Sequence, residues 1–300
     1  MRAGERYIDV VQRPARVRCE HGVLHIESDA GEAHTVALAD LAGLSLSHPA
    51  IGVSVAAIAS AAEAGIPVIL GDGKRMPTAM ILPLVGHSTQ GERLRAQASA
   101  SLPTVKRIWK SIVISKIRHQ ASVLSELGRE ARPLLECAGA VKSGDSTGRE
   151  AVAARLYWTR LFDDQRFRRS PGDGGINAML DYGYAVVRAT VARAICAAGL
   201  HPGLGVQHHN RYDAFPLAND LMEPFRPIVD RFVHKATVGR GPDFELEPID
   251  RRRLAELVQL RVVLDGESRT VTDVAFQLAV SVARRFEGSR ASLALPSAWW

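Results

Sequence analysis

The sequence predicts an α+β chain: an N-terminal β-rich, β-sandwich-like domain with one small helix, followed by a larger all-α domain. Two patterns predict it. Up to residue 85 the apolar residues come in short alternating or β-branched runs, and after Pro103 they recur every three or four positions. The length of 300 residues also suits two cores better than one. The expected boundaries are a β-rich domain over 1–85, a linker over 86–103 and a helical domain over 104–300.

In the first part "RVRCE", "VLHIES", "HTVALAD" and "GLSLSH" read as an antiparallel set of strands punctuated by His-Gly and Ala-Gly turns. "GVSVAAIASAAEAG" reads as a small Ala-rich helix closed by Gly65. "IPVILGDG" and "TAMILPL" return to strand, and no polar cluster in this part looks catalytic. "GHSTQGERLRAQASASLP" is polar enough to be a connection. From Thr104, "TVKRIWKSIVISKIRHQASVLSELG" carries apolar residues at helical spacing and stops at Gly128. "EAVAARLYWTRLF", "INAMLDYGYAVVRATVARAICAAG", "PLANDLMEPFRPIVDRFVHKA", "PIDRRRLAELVQL" and "VTDVAFQLAVSVARRF" follow the same rule, so the second part is expected to be almost all helix.

Composition narrows the function. No apolar run reaches the roughly 18 residues a membrane span needs. The start "MRAGERYIDVVQ" places charges where a signal peptide has its apolar core. Three scattered cysteines, Cys19, Cys137 and Cys196, build neither a disulfide framework nor a zinc knuckle, so the expected compartment is the cytoplasm. Charge is unevenly divided. Residues 1–85 hold 7 basic and 9 acidic side chains, leaving 31 and 23 of the chain's 38 and 32 to the rest. A basic second part points to a polyanion, with nucleic acid the first candidate and a solvated surface the bland alternative.

Three places carry candidate chemistry. Glu150 follows Thr147 by three positions, the spacing of a helix capping box, and a carboxylate there also suits a metal. Asp220 and Glu223 share a helix face, beside Pro224, which should bend the helix near Glu223; such acids usually face solvent. His208 and His209 lie in a glycine-rich loop after Pro202, Gly203 and Gly205. Carboxylates suit Mg²⁺ or Mn²⁺, and an imidazole shifts the preference toward Mn²⁺. No zinc-finger or HExxH spacing is present. Basic residues Lys106, Arg107, Lys110, Lys116 and Arg118 decorate the long helix that contains Trp109, Arg226 and Arg231 flank the acidic segment, and Arg251, Arg252 and Arg253 open a later helix.

Taken together, "EAGIPVILGDG", "SGDSTGREAVAARLYW", "INAMLDYGYAVVRA" and "GLHPGLGVQHHNRYDAFPLANDLMEPFRPIVD" resemble the CRISPR-associated spacer-acquisition integrase/endonuclease family, Cas one, in a type II-like variant. The resemblance runs in order over nearly the whole chain. It implies a β-domain that dimerises and a helical catalytic domain. It also implies a metal triad, whose motif positions fall here on Glu150, His208 and Glu223, with His209 rejected as the neighbour. Asn219 stands where many relatives carry an acidic residue.

The implied activity is metal-dependent endonuclease and integrase chemistry with Mg²⁺ or Mn²⁺. A 3′-hydroxyl of a short double-stranded DNA fragment attacks a phosphodiester in the CRISPR repeat. A homodimer and the small CRISPR-associated partner protein Cas two are the implied partners. DNA-contact candidates are Lys106, Lys110, Arg211, Arg226 and Arg231; for Arg226 a phosphate is preferred over pairing with a carboxylate. Tyr157 and Trp158 read mainly as core, with stacking on DNA the lesser alternative. Rival readings are a branched-DNA nuclease or mobile-element integrase of the same fold, and a non-catalytic DNA-binding assembly subunit.

Overall fold

Two four-stranded sheets open the chain in the computed structural model, which describes residues 6–10, 13–71, 77–84, 89–162, 167–208, 210–240 and 244–299. The elements are β1 (Arg6–Val10), β2 (Ala15–Glu20), β3 (Val23–Ser28), β4 (Ala33–Ala37), β5 (Leu41–Leu46), β6 (Gly52–Val53), α1 (Val55–Glu63), β7 (Val68–Gly71) and β8 (Pro77–Ile81). One sheet has the order β1-β5-β7-β8 and the other β4-β3-β2-β6. His21 and Gly22 both take positive φ, 49° and 76°, which gives the β2–β3 hairpin a two-residue turn whose twist matches the strands. Alternate residues Val17, Leu24, Ile26 and Val36 meet Leu41, Leu44, Leu46 and Val68 of the other sheet in one core. Ala57 and Ala61 of α1 complete that core.

The set is not purely antiparallel, as the strand runs alone suggested. β1–β5, β5–β7 and β2–β6 pair in parallel. Parallel neighbours need a crossover, and α1 supplies it between β5 and β7.

Residues 86–103 are not a bare connection. They contain α2 (Gln90–Ala98), whose Arg93 guanidinium donates to the Ala198 carbonyl at 2.8 Å and pairs with Glu287. The Gln97 amide donates to the carbonyls of His201 and Leu204 at 2.9 and 2.8 Å and accepts from the His201 N–H at 2.9 Å. Docking by hydrogen bonds leaves no apolar periodicity to read.

The second part packs α3 (Leu102–Glu126), α4 (Arg132–Gly139), α5 (Arg149–Leu161), α6 (Ile176–Ala197), α7 (Pro216–Met222), α8 (Arg226–Thr237), α9 (Pro248–Ala255) and α10 (Val271–Phe286) around a second core. Helix α6 is buried along most of its length, as an axial helix must be. A Cβ at Gly183 would lie 2.5 Å from Val229 Cγ1, so glycine is what lets α8 approach α6.

This part is not all helix. β9 (Arg261–Leu264), β10 (Glu267–Thr270) and β11 (Ala298–Trp299) form a three-stranded antiparallel sheet. Its hairpin turns at Asp265-Gly266, both with positive φ, and that dipeptide is a hairpin signal the helical reading passed over. Among the described residues no helix is long and apolar enough to cross a membrane.

Candidate active site

The site is assembled from α3, the start of α5, the loop before α7, and the break between α7 and α8. Helix α3 buries Trp109, Ile112, Val113 and Ile117 on one face, and Lys116 projects from that same stripe. Its ammonium Nζ lies 2.6 Å from Glu150 Oε1 and 2.6 Å from Glu223 Oε2.

Glu150 reaches that point because another residue caps its helix. The backbone N–H groups of Arg149 and Glu150 donate to the two Asp145 carboxylate oxygens at 2.8 and 3.0 Å, and Gly148 at the N-cap has φ 61°. The capping box expected from Thr147 is therefore not formed. With the orphan donors served by Asp145, the Glu150 carboxylate is released toward Lys116.

Glu223 sits where α7 stops. Pro224 lacks the N–H that would continue the helix, so residues Glu223–Phe225 tighten into a 3-10 turn before α8 resumes. The expected bend is present, but Asp220 and Glu223 do not face solvent: both are buried. His119, buried in α3, is 2.9 Å by Nδ1 from the Pro224 carbonyl and fixes the turn from below. Glu223 Oε1 accepts from Arg226 Nε at 2.8 Å, and the Arg226 guanidinium lies 4.6 Å over the Tyr184 ring. Tyr184 in turn donates to Asp230.

His208 is held by Asp220. The Val206 and Gln207 N–H groups donate to Asp220 Oδ2 at 2.6 and 3.1 Å; the His208 N–H donates to Oδ1 at 3.2 Å, and its ring Nδ1 lies 2.6 Å from the same oxygen. A carboxylate accepts only, so Nδ1 carries the hydrogen and the neutral ring offers Nε2. The spacing of Gly205 and His208 has a steric cause. A Cβ at Gly205 would lie 2.5 Å from the His208 carbonyl oxygen and 3.0 Å from Asp220 Oδ2.

Electrostatics follow the contacts. Burial opposes charge on Lys116, but Glu223 and Glu150 outweigh it and raise the ammonium pKa above its ordinary value. Burial likewise opposes ionisation of Glu223, and Arg226 and Lys116 overturn it, holding the carboxyl below its usual range. The hydrogen bond to Asp220 raises the His208 pKa. Burial pushes Asp230 up to about 7.

The structure thus brings Glu150 and Glu223 onto one cation, and His208 feels the negative charge of both. Among the described residues, no three His, Cys, Asp or Glu side chains gather as they stand into a group that could hold a metal ion. Lys116 occupies the point on which the two carboxylates converge. His209 lies outside the described residues. Asn219 turns away to Asp213, which its amide reaches at 2.5 Å.

Of the DNA-contact candidates, Lys106 is exposed and Lys110 half-buried on α3, and Arg211 is exposed and stacked 4.6 Å over Tyr212. Arg226 pairs with Glu223 at 2.8 Å. Arg231 is gripped bidentately by Glu126, at 2.5 and 2.8 Å, with Lys235 on the same carboxylate. Its charge is answered within the fold. Two contributors were not legible in their roles, Lys116 and Asp220. The signal for Lys116 was a lysine set in the apolar stripe of an amphipathic helix.

The sequence profile described as "CRISPR associated protein Cas1" matches residues 8–241. The chain belongs to the Cas1 family. It is 33% identical over 261 residues to the CRISPR-associated endonuclease Cas1 of Neisseria meningitidis, covering 86% of this chain and 84% of that one. Among solved structures, a casposase bound to integration product superposes with a TM-score of 0.78 at 21% identity, over 96% of this chain and 92% of that one. A Cas6-RT-Cas1–Cas2 complex gives 0.74 at 17% identity, over 96% of this chain and 35% of that longer chain. These likenesses show that the fold is shared over 96% of this chain.

Proposed function

We propose that this Cas1 family member inserts short double-stranded DNA into a CRISPR repeat by metal-dependent transesterification, at a site formed by Glu150, His208 and Glu223. The observation that carries the reading is the convergence of Glu150 and Glu223, 73 positions apart, on a single cation at 2.6 Å each, beside an imidazole oriented by Asp220. Two carboxylates already arranged around a positive charge, plus one imidazole nitrogen, are a donor set suited to Mg²⁺ or Mn²⁺. When bound, such an ion supplies Lewis acidity to the phosphoryl and 3′-oxygens.

The chain's own residues do the rest. Glu150 and Glu223 would hold the ion through carboxylate oxygens and His208 through Nε2. Asp220 keeps the ring turned, and Arg226 holds Glu223 in place while screening its charge. In the reaction the attacking 3′-oxygen forms a new bond to phosphorus as the old bond from phosphorus to the repeat's 3′-oxygen breaks. The proton of the attacking hydroxyl ends on the released one. With water as nucleophile the same site is an endonuclease, which agrees with the name of the Neisseria relative. The casposase, a protein of the same fold bound to integration product, and the Cas1–Cas2 complex support DNA and a Cas2-type subunit as partners. In this reading residues 1–85 form the dimerisation domain and 104–300 the catalytic domain of a homodimer, and Lys106, Lys110 and Arg211 contact DNA.

A second reading has its own support. The ion pairs of Lys116 close the carboxylates without any metal, as they would in a non-catalytic DNA-binding subunit. Strand transfer separates the two. Protein with and without the small partner is mixed with a labelled short duplex and a plasmid carrying a repeat array, in Mn²⁺, Mg²⁺ or chelator. Metal-dependent joining that disappears in Glu150→Ala, His208→Ala and Glu223→Ala is expected. DNA binding with no metal-dependent chemistry would favour the assembly subunit instead.

A further inference from the structure

Lys116 carries a charge where its helix presents an apolar face. Its neighbours Val113 and Ile117 are fully buried, and its own side chain is only 12% exposed. A buried ammonium is tolerated when anions pair with it, and its partners are Glu150 and Glu223 at 2.6 Å each. These are the same two carboxylates proposed to hold a divalent ion, and any role of Lys116 toward that ion rests on the metal reading. One set of oxygens is therefore shared between two cations.

Charge shows what must give. Asp230, with a pKa of about 7 and in the field of Arg226 and Lys116, adds part of a negative charge from behind. Of the ion-paired side chains, Glu150, Glu223 and Asp220 bring three negative charges, Lys116 and Arg226 two positive ones, and a neutral His208 none, so that set is near −1. A divalent ion takes it to about +1 and weakens the hold of the carboxylates on the ammonium. The missing anion has a natural source in a reaction on DNA, a phosphodiester of charge −1.

We propose that Lys116 is a positioning residue that couples divalent-cation binding to DNA binding. It competes with the ion for Glu150 and Glu223, and a DNA phosphate compensates its ammonium once the ion is in place. The coupling is reciprocal: DNA tightens the metal and the metal tightens DNA, each by the same factor. Without DNA, the resident ammonium keeps the metal site weak. Arg226 does not take this part: among the described contacts its guanidinium pairs with Glu223 and not with Glu150, and it is stacked on Tyr184.

The test is Mn²⁺ titration of the full-length protein by calorimetry. Bound ion is counted independently by electron paramagnetic resonance, with and without a short duplex whose 3′ ends are dideoxy and cannot join. For the native chain, DNA should tighten Mn²⁺ about tenfold or more. Lys116→Met should bind Mn²⁺ about tenfold more tightly than the native chain without DNA, and should lose most of the DNA effect. Lys116→Arg, which keeps the charge, should behave as the native chain does. If Lys116→Met does not fold, as judged by its helical circular dichroism, Lys116→Gln is read in its place. Equal or weaker Mn²⁺ binding in the folded neutral variant would overturn the proposal and leave Lys116 a structural counter-ion. The metal reading itself is checked by Glu150→Ala and Glu223→Ala. If these bind Mn²⁺ as the native chain does, that reading and this proposal fall together. If they lose Mn²⁺ while Lys116→Met is unchanged, the coupling alone falls.

Discussion

Asp220 holds His208 by backbone and ring at once: its Oδ1 accepts the His208 N–H at 3.2 Å and lies 2.6 Å from the ring Nδ1. The same carboxylate takes the N–H groups of Val206 and Gln207 on its other oxygen, so one side chain fixes both the loop and the ring. Asp220→Asn keeps the size but weakens the anchor and the bias toward the Nδ1–H tautomer. Mn²⁺ affinity should fall by roughly 10- to 100-fold, the usual effect of losing a partner behind a metal-binding histidine. A titration showing native affinity would remove Asp220 from the site's support.

Gly205 should tolerate no side chain. The added methyl of Gly205→Ala meets the His208 carbonyl at 2.5 Å and Pro216 Cβ at 2.9 Å, both on short, tightly tethered segments. The loop has to move, and His208 moves with it. The expected result is a loss of strand transfer comparable to His208→Ala, with destabilisation of about 1–3 kcal/mol in urea unfolding. Native activity in this variant would show that the loop has room that the structure denies it.

Two buried groups oppose each other between pH 7 and pH 4. Burial lowers the His119 pKa to about 4 from an ordinary 6.5. On acidification the unfolded chain therefore takes up a proton that the folded chain refuses, which removes on the order of 3 kcal/mol of stability. Asp230 works the other way. Burial raises it to about 7 from 3.8, so the folded chain takes the proton first and gains about 4 kcal/mol over the same window. These two contributions nearly cancel from pH 7 to pH 5, so over that range the urea midpoint of the native chain should rise only by what the raised His208 adds. Asp230→Asn should lose stability on acidification, and His119→Gln should gain it. Identical pH dependence in all three proteins would refute the pairing.

DNA affinity should sort the basic residues by their partners. Arg231 spends its guanidinium on Glu126, whose pKa its hydrogen bond lowers to about 2, so Arg231→Ala should leave the salt dependence of DNA binding unchanged. Its cost is stability, within about 1 kcal/mol for a pair this exposed. Among the described ion pairs none involves Lys106 or Lys110. Alanine at either should weaken binding to any sequence and reduce the salt slope by about 1. Filter binding at several salt concentrations decides it, and a reduced slope in Arg231→Ala would reverse the assignment.

Period-two runs, three-and-four spacing and the bend at Pro224 were legible in the chain because each depends on residues a few positions apart. The family, and the short motifs around Glu150, His208 and Glu223, were legible for the same reason. Local rules failed where a distant partner decided the outcome. Thr147 has capping-box spacing, yet Asp145 took the N–H groups of α5. The polar α2 looked like a connection, yet its arginine and glutamine dock on carbonyls about a hundred residues away. Arg231 looked available to phosphate until α8 brought it to Glu126 on α3. Above all, nothing near Lys116 in the chain says that two carboxylates will close on it. Folding the second core carries that lysine inward with its apolar neighbours, and an ammonium out of water stays charged only where anions from other elements surround it.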